Sequence, residues 1–325
     1  MKPEKRSLPI RRVILGCGTF GGVGSSRHLI GKGMDRAAAF ETLNEAAVLG
    51  IEMWDTAEGY AGGESESAIG AWLASRPQHI TQRIRIATKV APASLGGDES
   101  ALFDEAYVAS KLAISLERLG RERVALYMAH APCRITPVGK TVEAFAAVKE
   151  SGRAEVLGCC NVSSDQLLAF LDEAERRGMP GFTWVQNGFS LLSPDDDKEV
   201  RAICRERKLV YSAFSPLAGG VLAGKYRRGE PFPPGSRLDL RPDGRTLSEK
   251  THDALDRLHA MADARGTSCA ALALAWIFDH PDCFAPVAGP SRSAPHLMHI
   301  AKALMIELSE KDRKELTQAF LAASA

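Results

Sequence analysis

The chain has 325 residues, 45% of them hydrophobic, which is enough to bury a large core as one big domain or two small ones. Its 41 Lys and Arg against 40 Asp and Glu leave a net charge of +1, so there is no basic footprint for nucleic acid and no polybasic patch for a membrane surface. The longest apolar run, Cys269 to Phe278, is about half of the ~20 residues that span a bilayer, and the opening MKPEKRSLPIRR lacks the apolar stretch of a secretory signal.

Seven cysteines stand at positions 17, 133, 159, 160, 204, 269 and 283. An odd count with no Cys-x-x-Cys spacing argues against a disulfide framework or a zinc site. The expectation is reduced, mostly buried thiols, no bound metal, and a cytoplasmic location.

The elements alternate along the chain. Residues 12 to 16 predict a strand. Residues 36 to 49 predict a helix, with Asp35 as N-cap, Ala39, Leu43 and Ala46 on one face, and Gly50 past its end. IEMWD is a strand, 65 to 75 a helix, and 84 to 88 a strand. Residues 104 to 119 predict a helix with the stripe Val108, Leu112, Leu116 and Leu119, closed by Gly120. Then come a strand at 124 to 130, a helix at 141 to 151 and a strand at 154 to 161. Ser163 and Gln166 have capping-box spacing at the head of the next helix, which Gly178 ends. Strands at 182 to 186 and 208 to 214 flank a charged helix at 197 to 207. A Gly/Pro/Arg-rich stretch, 218 to 246, is long for a loop and suggests a functional lid. Helices at 249 to 265 and 268 to 279, a strand at 284 to 289 and a helix at 295 to 306 complete the pattern.

Strands separated by helices imply a parallel sheet, and about eight such units in some ~290 residues match a (β/α)8 TIM barrel. The rival is an open dinucleotide-binding sheet. Gly16-Cys17-Gly18-Thr19-Phe20-Gly21 fits its G-x-G-x-x-G fingerprint, but no helix opens at those glycines, and Asp55 lies 34 residues past Gly21. The glycines are expected to form a bend at a barrel rim. No break in composition divides the chain, so 1–325 reads as a single barrel domain.

Four residues then fall at one end of the barrel: Asp55 ending the second strand, Tyr60 after it, Lys89 ending the third and His130 ending the fourth. The C-terminal ends of barrel strands face one mouth, where barrel enzymes carry their chemistry. Each residue alone has an ordinary structural explanation. Together they suit proton delivery to a carbonyl. An ammonium beside a phenol lowers its pKa, a carboxylate holds the ammonium, and a neutral imidazole donates to the oxygen as charge develops.

Asp55-Thr56-Ala57 with Tyr60, then Ser65-Glu66 with Ile69-Gly70, then a strand ending Thr88-Lys89 and one ending His130, resemble the aldo-keto reductase superfamily from about residue 12 to 306. The resemblance is greatest to the branch of potassium-channel beta-subunit-like and bacterial members. It implies a (β/α)8 barrel using NADPH/NADP+ on a small-molecule carbonyl substrate, with Tyr60 as general acid, Asp55 and Lys89 tuning it, and His130 orienting the carbonyl. It further implies that Asn161 and Gln186 hold the nicotinamide carboxamide and that Phe214 stacks on the ring. Ser215, Leu217 and Gly219 would line the pyrophosphate. Lys225 and Arg237 would come from a belt over the cofactor at 218 to 246, and Gly289, Ser291 and Arg292 would meet the 2′-phosphate. Cys160 stands where the family usually has serine, a weaker hydrogen-bonding group. His296-Leu297-Met298-His299 departs from the family's adenine-binding pattern, so both histidines are expected on an exposed helix face.

The function expected is NADPH-dependent reduction of an aldehyde or ketone, reversible to oxidation of a sugar or alcohol. A cofactor-binding, redox-sensing partner protein like a potassium-channel beta subunit is the alternative. Nothing in the sequence indicates a homo-oligomer. The substrate pocket is expected from Phe20 to Ile30, Trp54, Ala91 to Asp98 and Ala131 to Thr136, including His28, Cys133 and Arg134.

Overall fold

Short apolar strands bounded by capped helices leave each strand one choice, to pair with the strand before it. In the computed structural model, which describes residues 13–92, 103–239, 246–290 and 297–324, they do so in strict sequence order. The strands are Ile14–Gly16 (β1), Met53–Asp55 (β2), Arg85–Val90 (β3), Val124–Ala129 (β4), Ala154–Cys160 (β5), Trp184–Gly188 (β6), Val210–Phe214 (β7) and Ala285–Ala288 (β8). All pairs are parallel, and β1 pairs with β8 to close the barrel. This is the TIM-barrel architecture, and the open-sheet rival is excluded.

The helices are Arg36–Val48 (α1), Glu64–Ala74 (α2), Gln78–Thr81 (α3), Glu105–Leu119 (α4), Val138–Glu150 (α5), Ser164–Arg177 (α6), Lys198–Glu206 (α7), Glu249–Asp263 (α8), Cys269–Phe278 (α9), Leu297–Ala303 (α10) and Glu310–Ser324 (α11). Their ends follow local chemistry. The Asp35 side chain accepts from the Ala38 amide, and Asp104 does the same for Tyr107. Ser163 and Gln166 form the full capping box, and Gly120 and Gly178 close their helices in the left-handed conformation.

Strand side chains alternate between two cores. Ala87, Leu126, Met128 and Cys160 cluster inside the barrel with Met53, Val156 and Trp184. Leu15, Trp54, Ile86, Tyr127, Val185 and Tyr211 point the other way, into the layer beneath the helices. Trp54 therefore does not line a substrate pocket. It is fully buried, packs edge-on against Trp72 at 5.0 Å and donates to the Ile51 carbonyl at 2.7 Å.

Several elements differ from expectation. α5 begins at Val138, directly after Pro137, because proline pre-sets the first helical turn. β6 runs on to Gly188, so Gln186 lies inside the strand. α11 was not foreseen. Its charged first turns hide a short apolar stripe, yet Leu316 and Phe320 are fully buried, and Thr317 Oγ1 accepts from Trp276 Nε1 at 3.0 Å.

Candidate active site

β2 and β3 are neighbours in register, so the carboxylate ending one and the lysine near the end of the other project into the same mouth. Lys89 is 1% exposed, and its Nζ lies 2.6 Å from Asp55 Oδ2. The other two contacts of that nitrogen are the Thr56 carbonyl at 2.9 Å and Tyr60 Oη at 3.4 Å. An ammonium has three hydrogens and no acceptor, so all three are used. The Tyr60 oxygen accepts from Lys89, which leaves the phenol's own hydrogen available to another group. His130 follows β4, and its ring lies edge-to-face with Tyr60 at 5.5 Å. The Asn161 amide donates to the His130 carbonyl at 2.7 Å, and His130 Nδ1 is buried with no partner.

Burial and charge set the ionisation of these groups. Loss of hydration, then the nearby Lys89 charge, pushes His130 down to about 3, so the imidazole is neutral at physiological pH. Burial acts against the Lys89 ammonium, but the Asp55 charge leads a set of contributions that carry it above the ordinary lysine value. Tyr60 runs against the expected direction. Loss of hydration outweighs the Lys89 charge and raises the phenol to about 12. The ammonium's lowering effect is present but smaller.

Nearly all of the chain matches a known set of proteins. Residues 12–320 match the Aldo/keto reductase family. The chain belongs to that family. It is 32% identical over 294 residues to the uncharacterized oxidoreductase YrpG of Bacillus subtilis (strain 168), covering 88% of each chain. It is 27% identical to an NADH-specific methylglyoxal reductase of Escherichia coli (strain K12), covering 86% of each, and 27% identical to the aldo-keto reductase yakc [NADP(+)] of Schizosaccharomyces pombe, covering 85% and 81%. A glycerol dehydrogenase from Gluconobacter oxydans shares the fold, with a TM-score of 0.77 at 24% identity over 95% of this chain and 90% of that one. As an aldo/keto reductase the chain is an oxidoreductase of the nicotinamide-dependent, carbonyl-reducing kind. No helix among the described residues is long and apolar enough to cross a membrane.

Others of the residues expected at a nicotinamide cofactor site lie at or after the C-terminal ends of β5, β6 and β7. Gln186 Nε2 donates to Asp55 Oδ1 at 3.0 Å, so the amino groups of both Gln186 and Asn161 are engaged within the protein. Cys160 is buried, its thiol 3.6 Å from Met128 Sδ and raised by burial to about 12. Phe214 ends β7 with its ring against Gly188, where a Cβ would stand 3.3 Å from it. Asn161 and Ser215 hold positive φ (55° and 53°), a costly conformation for non-glycine residues that concentrates at functional sites. Leu217 accepts from the Gly220 amide at 2.8 Å in the turn after β7. Arg237 Cδ lies 2.8 Å from where a Gly219 Cβ would be, and Lys225 Nζ lies 3.0 Å from that of Gly220. Two cations of the long stretch, Lys225 and Arg237, thus lie over this glycine turn. Gly289 lies against the Gly16 carbonyl, which a Cβ would approach to 2.0 Å. Ser291, Arg292 and His296 lie outside the described residues. An orphaned imidazole nitrogen and a glycine turn crossed by two cations fit a nicotinamide dinucleotide.

Sequence reasoning missed other parts. The Thr56 carbonyl is the third anchor of Lys89, and backbone groups carry no residue-type signal. Gly18 faces the Tyr60 ring, so the G-x-G bend shapes the wall beside the phenol. Ser65 and Glu66 are fully buried braces. Ser65 bonds Thr56 and the Cys17 carbonyl at 2.8 and 2.9 Å, and Glu66 accepts from Thr88 at 2.6 Å. His299 is not on a bare helix face, since its Nδ1 meets Ser268 Oγ at 3.1 Å. His28 and Arg134 are exposed at the rim, Cys133 is half-buried, and residues 93–98 of the expected pocket are outside the described set.

Proposed function

We propose that this aldo/keto reductase reduces an aldehyde or ketone to an alcohol with NADPH, Tyr60 donating the proton, and that oxidation of a sugar or alcohol uses the same groups in reverse. The observation that carries this reading is the saturated Lys89, whose three hydrogens go to Asp55, Thr56 and Tyr60. Tyr60 is held as an acceptor from the ammonium, and its proton is directed to a substrate oxygen. Bound NADPH supplies the hydride. His130, kept neutral by burial and by the Lys89 charge, offers a donor to the carbonyl oxygen. Asp55 keeps the ammonium charged and in place, and Gln186 fixes the carboxylate.

For the cofactor, Asn161 and Gln186 take the carboxamide through their oxygens, and Phe214 offers its ring face to the nicotinamide. Ser215, Leu217 and Gly219 take the pyrophosphate. The 218–246 stretch forms a belt over the dinucleotide in a single barrel domain, with Lys225 and Arg237 on its inner side. Arg237 and the loop carrying Gly289, Ser291 and Arg292 favour the 2′-phosphate, since a guanidinium fork suits a phosphate dianion. Gly224-Lys225-Tyr226 and Ser236-Arg237 support placement in the branch that includes bacterial and potassium-channel beta-subunit-like members.

The test is Tyr60→Phe with NADPH and 4-nitrobenzaldehyde. The expected kcat loss is about 10²-fold or more, with the NADPH dissociation constant nearly unchanged. Near-normal kcat would remove Tyr60 as the acid. Wild-type protein that binds NADPH without multiple turnovers would instead support a partner-protein role.

A further inference from the structure

Tyr60 sits in an irregular turn, yet its hydroxyl must stay within reach of an ammonium carried by a different strand. Its ring is fixed by little on its own element, since the turn includes Ala61, Gly62 and Gly63, all at positive φ. Such a turn does not hold a phenol in register by itself.

Glu58, two residues before Tyr60, connects that turn to β3 and α4. Its amide donates to the Lys89 carbonyl at 3.1 Å. Its side chain, 9% exposed, accepts from the Ala91 amide through Oε1 at 3.0 Å. The other carboxylate oxygen lies 3.4 Å from Lys111 Nζ on α4. Its carbonyl accepts from Arg118 at 3.3 Å, and the same guanidinium pairs with Glu66 at 3.2 Å. Ala91 is itself held on its other side, its carbonyl accepting from Tyr107 Oη at 3.2 Å. One residue thus spans from the chain on either side of Val90 to the turn carrying the phenol. A buried carboxylate is costly unless every lone pair is used, and here it is used to join two backbones.

We propose that Glu58 is a positioning residue that sets the Tyr60–Lys89 distance. The proposal rests on Tyr60 being the proton donor. In this role Glu58 needs no contact with substrate or cofactor. It acts by tying the phenol's turn to the strand that carries the ammonium, whose contact with Tyr60 is the longest of its three.

The experiment measures 4-nitrobenzaldehyde reduction and NADPH binding for Glu58→Ala, Glu58→Asp and Glu58→Gln. Misplacing a reacting group by about 1 Å costs up to ~10²-fold. Glu58→Ala is expected to lower kcat about 10- to 100-fold with the NADPH dissociation constant within about twofold of wild type. Glu58→Gln keeps an oxygen for the Ala91 amide and should retain most activity. Glu58→Asp is too short to span the gap and should fall between, which keeps the test usable if the alanine variant does not fold. In a Tyr60→Phe background the same changes should cost little further, because the phenol they position is gone. Full activity in Glu58→Asp, parallel loss of NADPH binding, or an undiminished effect in the Tyr60→Phe background would each overturn the proposal. Normal turnover by Tyr60→Phe alone would instead fault the assignment of the acid, so the two failures are separable.

Discussion

Lys89 is an ammonium almost removed from water, and Asp55, 2.6 Å away, leads the contributions that keep it charged against burial. Burial, with the Lys89 charge second, sets the ionisation of its neighbours, and two pH effects follow with opposite signs. His130 is depressed to about 3, whereas an unfolded histidine titrates near ~6.5. The folded protein refuses a proton that the unfolded chain accepts. Stability is therefore complete above pH ~6.5 and declines as pH falls toward about 3, by up to ~1.4 kcal/mol per pH unit for one group. Tyr60 is raised to about 12, so its contribution is present below pH ~10 and is lost as pH rises through about 12. Urea midpoints of wild type should fall below pH ~6.5, and His130→Gln should flatten part of that slope. A slope identical in the variant would show that the imidazole is not held neutral. Asp55, Tyr60, Lys89 and His130 were all legible as residue types at strand ends. The net direction of the phenol's shift was not, because desolvation depends on what packs around it, including Gly18 from β1's loop.

Helix ends and strand order were legible because capping and periodicity are local. Asp35, Asp104, Ser163 and Gly178 each sit where a cap belongs. α11 escaped notice because its burial comes from α8 and α9 rather than from a strong pattern of its own. The stretch after β7 shows both sides of this. Its glycines and cations were visible, but only the fold lays Arg237 across Gly219 and Lys225 across Gly220. It is also anchored: Tyr226 is 2% exposed and its hydroxyl accepts from the Leu238 amide at 3.3 Å. Arg237→Ala should weaken NADPH by about tenfold or more while leaving NADH within about twofold, measured by fluorescence titration. Equal losses would withdraw the 2′-phosphate assignment.

Across the whole molecule, the decisive event is closure. Among the described residues β1 and β8 share the pairs Ile14↔Val287 and Leu15↔Ala288, and past them Gly289 presses on the Gly16 carbonyl. Gly289→Ala should therefore destabilise by ~3 kcal/mol or more and lower Tm by ~6–12 °C. Gly152→Ala is the control, a left-handed position with nothing within 4 Å, expected to cost only ~1–2 kcal/mol. Similar Tm losses in the two variants would show that crowding at the seam contributes nothing beyond backbone preference.

By itself the sequence determined the strand–helix alternation, the caps, and the spacing that brings an acid, a phenol, an amine and an imidazole to one set of strand ends, because those signals act over a few residues. Only the tertiary structure decided that the sheet closes, that Trp54 faces the helices, that Gln186 reaches Asp55, and that Tyr60 gains rather than loses pKa. Each of those outcomes depends on atoms from distant segments excluding water or approaching closely, and local sequence does not encode which segments those are.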